Sequence, residues 1–566
     1  MKEIFKPEFF SVLKEGYTKK QFSKDLFAGI IVGIVALPLA IAFAVASGVS
    51  PEKGLITAII AGFIISFLGG SRVQIGGPTG AFVVIVFGIV SQYGINGLII
   101  STILAGIMLI LFGLFRLGSL LRFIPHPLIV GFTSGIALII FSTQIPDALG
   151  LQIENIPADF LSKWKVIFQS IGTANYIAVI ITILTIIISV SFSKITNRIP
   201  GSFVAIIIMT AAVTIFDLPV TTIETMFGEI SGKFDFQIPS FSFNDIELYL
   251  SPALTIALLG AIESLLSAVV ADGMIGSNHK SNTELIAQGI ANIVTPLFGG
   301  IPATGAIART ATNIKNGGRT PVAGMIHAIT LLFIMLFFGK WAKLIPMSCL
   351  AGILIVVSYN MSEWRSFSSI LSPSVKAFKL LFKGKWKEFS EAIKDAAFDC
   401  TILLVTFLLT VLLDLTVAIQ VGVVLSALLF MKRMADNGQA ILAERDSSSA
   451  ENYGSIPKDI EIYEISGPFF FGAAKHYSEV LKRQASSTKV LIIRMRHVPF
   501  IDNTGVRNFK EAIRSLQSDD KKIILSGVQP NVKKELDKND ISSMIESNIF
   551  DNFNDALAKA KDYINQ

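Results

Sequence analysis

Charge is what this sequence has least of. Asp, Glu, Lys and Arg make up 16% of its 566 residues, against about 25% in an average soluble protein. A soluble chain so short of charge would lack the polar groups to cover its own surface. The deficit therefore excludes the row of ordinary soluble domains that the length alone would suggest. With 52% apolar residues and a mean hydropathy of +0.63, this is a membrane protein. Cysteine is scarcer still: Cys349 and Cys400 are the only two. Both stand inside apolar runs as packing residues, not as a disulfide framework or a metal cluster. A Walker loop, a catalytic triad, zinc-ligand spacing and a redox motif are all missing, so the sequence points neither to an enzyme nor to a bound cofactor. The stretch 1–24 is charged and aromatic, unlike a cleavable leader. The apolar run from Asp25 has no small-residue cleavage site after it and reads as a true span.

The charges that are present are unevenly spread. From Asp25 to Met431 long apolar runs are broken by short polar loops, whereas from Lys432 to Gln566 acids and bases mix as in a soluble domain. About 20 apolar residues cross the hydrocarbon core. Twelve runs qualify, with help from neighbours where short: 25–48, 54–69, 96–115, 125–144, 176–193, 201–216, 251–273, 282–299, 320–339, 343–359, 397–413 and 415–432. Two more, 79–92 and 303–314, follow Gly and Pro and are too short to cross. Counted as half-membrane helices they bring the total to fourteen segments.

Lysine and arginine hold loops in the cytoplasm. With the N-terminus inside, the inner loops carry Arg116 and Arg122, Lys194 and Arg198, His279 and Lys280, Lys315 and Arg319. The longest carries Arg365, Lys376, Lys379, Lys383, Lys385, Lys387 and Lys394. The outer loop 217–248 sets Asp217, Glu224, Glu229, Asp235, Asp245 and Glu247 against a single Lys233. The net charge of +6 thus follows from membrane orientation, not from nucleic-acid binding, and both chain ends are expected in the cytoplasm.

The halves echo each other. Gly76-Gly77-Pro78-Thr79-Gly80-Ala81 precedes the first short segment, and Gly300-Ile301-Pro302-Ala303-Thr304-Gly305-Ala306 the second. Each stands third in a set of seven segments. Seven is odd, so the second half runs inverted, and interrupted segments at matching places of inverted halves point to a transport site. A helix that starts in mid-membrane leaves its first N–H groups unsatisfied and its positive end exposed. Two such starts facing each other form an anion cradle. Thr79, Gly80 and Ala81, with Thr304, Gly305 and Ala306, are its expected members. A single motif of this kind reads better as a tight turn; the matched pair favours the cradle.

Ionisable residues inside spans are rare and functional by default. Glu263 stands in the middle of the eighth segment, with the Ser267 hydroxyl on the same helical face. Beside Thr304 this pair would take Na⁺ or a proton as coupling ion. Arg309, in the second half-helix, would attract an anion, pair with Glu263, or do both. Asp272 is expected to be solvated or capping. Pro38 kinks the first span beside Phe43, whose ring edge would face the anion. His126, between Pro125 and Pro127, reads as a structural residue at a cytoplasmic mouth.

Ile124 to Gly135, Gly260 to Met274 and Asn292 to Thr320 resemble the SulP (sulfate permease) family of anion transporters. The resemblance implies a seven-plus-seven inverted repeat like that of uracil transporters, with core and gate domains and usually a dimer. It also implies an anion held among Phe43, Thr79-Gly80-Ala81 and Thr304-Gly305-Ala306, with cation coupling at Glu263. Leu39 stands where many members have Gln, and Ala308 where animal members often have Ser. The tail 456–566 is similar to a STAS domain, with strands expected at 460–471, 490–495 and 521–527 and a helix from Asn531. In its loop Asp502-Asn503-Thr504-Gly505, Asn503 replaces the commonly phosphorylated serine, which leaves Thr504.

The expected organisation is a cytoplasmic segment 1–24, a transport domain 25–434, a linker 435–455 and a cytoplasmic STAS domain 456–566. The expected activity is uptake of sulfate or bicarbonate across a cytoplasmic membrane, coupled to Na⁺ or H⁺. A dicarboxylate symporter, an uncoupled exchanger and a membrane anion sensor signalling through a partner of the STAS domain are the alternatives.

Overall fold

In hydrocarbon, backbone N–H and C=O groups have no water to bond, so apolar runs must close their hydrogen bonds within helices. The computed structural model describes residues 5–119, 125–153, 156–157, 159–195, 200–228, 236, 239, 246–382, 386–413, 415–436, 439–442, 456–457, 459–484 and 488–565. Arg122, Ile124, Arg198, Glu229, Lys233, Asp235, Asp245, Lys383, Lys385 and most of the expected linker lie outside these residues. The chain divides at Val423 and Val424 into two compact units.

The first unit starts with α1 (Glu8–Glu15), α2 (Lys19–Ala46), α3 (Pro51–Leu68), β1 (Gly76–Gly77), α4 (Gly80–Leu114) and α5 (His126–Leu149). It continues with α6 (Phe160–Ser170), α7 (Tyr176–Ile195), α8 (Gly201–Ile215), α9 (Ile223–Phe227), α10 (Ile246–Ile275) and α11 (Ser281–Leu297). After β2 (Thr304–Gly305) come α12 (Ile307–Lys315), α13 (Pro321–Ala342), α14 (Met347–Met361), α15 (Trp364–Phe382), α16 (Trp386–Leu412) and α17 (Leu415–Asp436), within which the division between the units falls. Each of the fourteen expected segments has a helix, and among the described residues seven helices are long and apolar enough to cross a membrane alone. The third and fourth segments run together as α4, which breaks at Gly94, where φ is 68°.

Three features correct or add to the expectations. Within the stretch 1–24, α2 already starts at Lys19, and Glu8 of α1 is buried, paired to Lys280 at 2.6 Å and to Arg72 at 3.3 Å. The lysine-rich inner loop is largely helical, as α15 and the start of α16, because its apolar residues recur at helical spacing between the charges. The short α6, between the fifth and sixth segments, was not anticipated.

The helices sort into two sets. In one, α4 packs on α10 and α11, and α13 on α2 and α3; in the other, α5 packs on α14 and α16, and α7 on α8 and α14. These are the core and gate of a seven-plus-seven repeat. Small residues set the distances inside the core, as expected where lipid leaves no hydrophobic drive between helices. A Cβ on Gly289 of α11 would lie 2.5 Å from the Gly106 carbonyl oxygen of α4, and one on Gly106 would lie 2.6 Å from the Gly289 oxygen.

The second unit adds β3 (Gln439–Leu442), β4 (Ile460–Ser466), α18 (Ala474–Gln484), β5 (Val490–His497), α19 (Asn503–Ser518) and β6 (Lys522–Ser526). It ends with α20 (Pro530–Lys538), α21 (Ile541–Met544), β7 (Ile549–Phe550) and α22 (Phe553–Asn565). The sheet order is β3-β4-β5-β6-β7, with β3 antiparallel and the others parallel. Strand β3 lies inside the stretch read as linker. Strand β4 stops short of the expected Phe471 because Gly467 turns the chain at a φ of 111° and Pro468 follows. Asp502 caps α19, accepting from the Gly505 N–H at 2.6 Å and the Phe471 N–H at 3.0 Å, while Asn503 and Thr504 are exposed.

Crowding of backbone against backbone makes the α4–α11 crossing sensitive to one methyl group. Gly289→Ala is expected to cost about 1–3 kcal/mol and to lower the unfolding temperature in detergent. Gly273→Ala on α10, where a Cβ meets nothing within 4 Å, is expected to leave it unchanged.

Candidate anion site

The two half-helix starts are joined by a miniature sheet. Strands β1 and β2 run antiparallel, Gly76 opposite Gly305 and Gly77 opposite Thr304. Immediately beyond them α4 begins at Gly80 and α12 at Ile307. The sheet therefore brings two positive helix ends, each with first-turn N–H groups lacking an intrahelical acceptor, to one place. Here glycine is required twice. Gly77 has a φ of 150° and would thrust a Cβ to 2.4 Å from Arg309 Nη1; at Gly305 a Cβ would meet Gln74 Nε2 at 1.5 Å.

Buried side chains fasten this arrangement. Arg309 is 2% exposed and its Nη2 donates to the Pro78 carbonyl at 2.6 Å. Ile75 N–H donates to Thr310 Oγ1 at 3.0 Å, and Ala306 N–H to the Ile75 carbonyl at 2.8 Å. Asn292 of α11 holds Ala303 by both its N–H and its C=O, at 2.9 and 2.8 Å. The approaches are pinned reciprocally: Glu284 of α11 accepts from Gly70 and Ser71 N–H before β1, while Thr57 of α3 accepts from Ile301 N–H before β2. A charged or amide side chain in a membrane domain is stable only with such partners.

A cavity of about 540 Å³ opens at the two helix starts. Phe43, Thr79, Gly80, Ala81, Gly305, Ala306, Arg309 and Glu263 line it, and so do Leu39 and Ala308. Thr304 and Ser267 do not: both are fully buried behind it. The Thr304 hydroxyl donates to the Gly260 carbonyl of α10 at 3.0 Å, and that of Ser267 faces Thr310 Oγ1 at 3.5 Å. Thr79 is likewise committed, donating to Glu263 Oε2 at 2.9 Å. The threonine hydroxyls thus tie the turns to α10, and the donors left for an anion are backbone N–H groups and Arg309. Arg309 Nη1 is buried without a hydrogen-bond partner.

Glu263 and Arg309 do not pair with each other. They grip consecutive residues of the first turn, Thr79 and Pro78. Each charge is thereby tied to the crossing without neutralising the other. Nor do Glu263, Ser267 and Thr304 form one shell, since each has a separate partner. Asp272 accepts from His279 N–H at 2.8 Å and contacts the His279 ring at 2.7 Å. His126 approaches Glu363, a lining residue of the cavity, at 3.9 Å. Asn360 and Met361 at the end of α14 also line the cavity and were not singled out in the sequence, where a helix end of the gate set carries no motif.

Comparison with known proteins agrees with this architecture. A family profile described as the Sulfate permease family matches residues 22–382, and one for the STAS domain matches 455–556. The chain is 40% identical to YvdB of Bacillus subtilis (strain 168), over 97% of this chain and 99% of that one. It is 29% identical to the bicarbonate transporter BicA of Picosynechococcus sp. (strain ATCC 27264 / PCC 7002 / PR-6), over 91% and 90%. The solved structure of SLC26A9 shares the fold, with a TM-score of 0.82 at 18% identity, over 99% of this chain and 93% of that one. A multi-pass helical chain with two facing half-helices and a C-terminal STAS domain, this protein belongs to the sulfate permease family of membrane transporters.

Proposed function

We propose that the protein takes up a small inorganic oxyanion, sulfate or bicarbonate, across a cytoplasmic membrane with both chain ends inside, and that Na⁺ or H⁺ at Glu263 drives the uptake. The observation that carries this reading is the β1–β2 pairing, which sets two helix N-termini and the Arg309 guanidinium around one cavity with a carboxylate on its wall. Backbone N–H groups and a guanidinium suit an oxyanion, whose several oxygens accept from several directions. The family description and the name of BicA favour sulfate and bicarbonate within that class.

Glu263 supplies the coupling. An anion between two positive helix ends and Arg309 is attracted whatever the state of the carboxylate, but a negative Glu263 on the same wall repels it. A proton or Na⁺ on Glu263 removes that repulsion, so anion and cation each favour the other's binding, and the coupling is reciprocal. Thr79 transmits it, because its hydroxyl donates to Glu263 while its neighbours Gly80 and Ala81 begin the half-helix. The core then moves against the gate to expose the site on the other face. In this reading the protein acts as a homodimer, and the STAS domain meets a cytoplasmic partner.

In proteoliposomes, labelled sulfate and bicarbonate uptake is expected to depend on an imposed Na⁺ or H⁺ gradient. Glu263→Gln is expected to reduce gradient-driven accumulation at least about tenfold while anion-for-anion exchange persists. Wild-type uptake that ignores both gradients would favour an uncoupled exchanger. Gly77→Ala, which pushes a methyl group into Arg309 Nη1, is expected to abolish accumulation and exchange alike, as measured in the same vesicles.

A further inference from the structure

The first unit holds a second cavity, of about 410 Å³, lined from α4 by Phe87, Gln92 and Tyr93, from α5 by Thr143, and from α6 by Lys163. It begins about one turn along from the first, Ala81 lining the first and Val83 the second on α4, and Phe43 and Ala46 doing so on α2, and it extends away from there. Leu128 of α5 lines the first cavity and Thr143 the second, about 22 Å apart along the axis at 1.5 Å per residue. On α10 the order is reversed, Glu263 lining the first and Ser251 the second, as befits a helix running the other way. The two cavities therefore extend in opposite directions along these helices.

What sets this cavity apart is Lys163, which is only 1% exposed. Its ammonium lies 5.6 Å from the centre of the Phe87 ring. Among the described residues no carboxylate stands within ion-pair distance of it. The other charged lining residue, Asp159, is exposed and caps α6, accepting from the Ser162 N–H at 2.7 Å. A buried ammonium is costly unless something negative meets it; Asp159, one helical turn away, attracts it without reaching it, and an anion in the cavity would meet it directly. Phe87 sits on the half-helix that begins at Gly80, two turns beyond the proposed anion cradle.

We propose that this cavity is a second anion-binding station, on the membrane face opposite the mouth of the half-helix site, where Lys163 captures the incoming oxyanion before the core moves. The station takes the same small inorganic anions and rests on the transport reading above. The Lys163 ammonium supplies the charge, and Gln92, Tyr93 and Thr143 supply neutral donors. Because α6 belongs with the gate helix α5, while Phe87 and Tyr93 belong to the core, motion of one set against the other opens or closes the station.

The test is uptake by the full-length protein in sealed vesicles of each orientation, with labelled sulfate and bicarbonate presented separately to each face. At the face on which this cavity opens, the outer face in the proposed orientation, Lys163→Gln is expected to raise the KM about fivefold or more, with the inner-face KM and the maximal uptake rate little changed and the maximal efflux rate lowered in proportion, and Lys163→Arg is expected to restore it. Lys163→Met, which keeps the stem against Phe87, serves if Lys163→Gln fails to insert. A lysine acting only in packing would alter stability, or the kinetics at both faces alike, and that result would overturn the station. So would an outer-face KM equal to wild type in a folded variant. Wild-type protein that moves neither anion overturns the transport reading and the station together, which sets that failure apart from one of the station alone.

Discussion

Gly76 and Gly77 pair with Gly305 and Thr304 in the middle of the membrane domain, and little else in the first unit makes sense without that contact. Extended backbone at membrane depth is tolerable only where its N–H and C=O groups find protein partners. The two segments supply each other, one from each half of the repeat. Pairing in turn fixes where the two short helices begin and points both positive ends at one cavity. It also explains the glycines: at Gly77 and Gly305 there is no room for a side chain between the strands and what packs on them.

Around this sheet the core uses polar side chains as fasteners rather than as surface. Arg309, Glu284, Asn292 and Thr57 are each spent on a backbone group of the crossing or its approaches, and Gln74, just before β1, donates to the Ser264 carbonyl of α10. Each bond is worth most where the alternative is an unpaired group in a low-dielectric interior. Such a core is stiff, which suits the proposed motion as a body against the gate helices α5, α7, α14 and α16. Glu263 is different, because its carboxylate lines the cavity and, among the described residues, meets a hydroxyl but no cation. In the proposed mechanism it is the group whose charge changes with occupancy.

The repeat was legible because inverted halves must repeat their breaks: Gly-Gly-Pro-Thr-Gly and Pro-Ala-Thr-Gly-Ala stand at matching positions. The apolar runs located their helices to within a few residues, except where polar residues continue a helix out of the membrane, as at Lys19 and Trp386. Partners across the crossing were not legible. Glu263 and Arg309 carry opposite charges near the crossing, but between β1 and α4 Pro78 accepts from Arg309 and Thr79 donates to Glu263, so that each charge finds one of them first. Thr304 and Ser267 sit at the right spacing for a shared shell, yet their hydroxyls face Gly260 and Thr310. Lys163 went unnoticed because α6 is short and amphipathic. Its lysine looks solvated until the fold folds α6 back over α4 and α5.

The central claim is that an oxyanion rests on the backbone N–H groups at the starts of α4 and α12, beside Arg309. The most direct measurement is the position of a heavy oxyanion, selenate, by anomalous scattering or high-resolution density from the full-length protein. The account predicts a selenium peak within hydrogen-bonding reach of the first-turn N–H groups of both half-helices. A peak elsewhere in the membrane domain, with the paired helix starts empty, would contradict it.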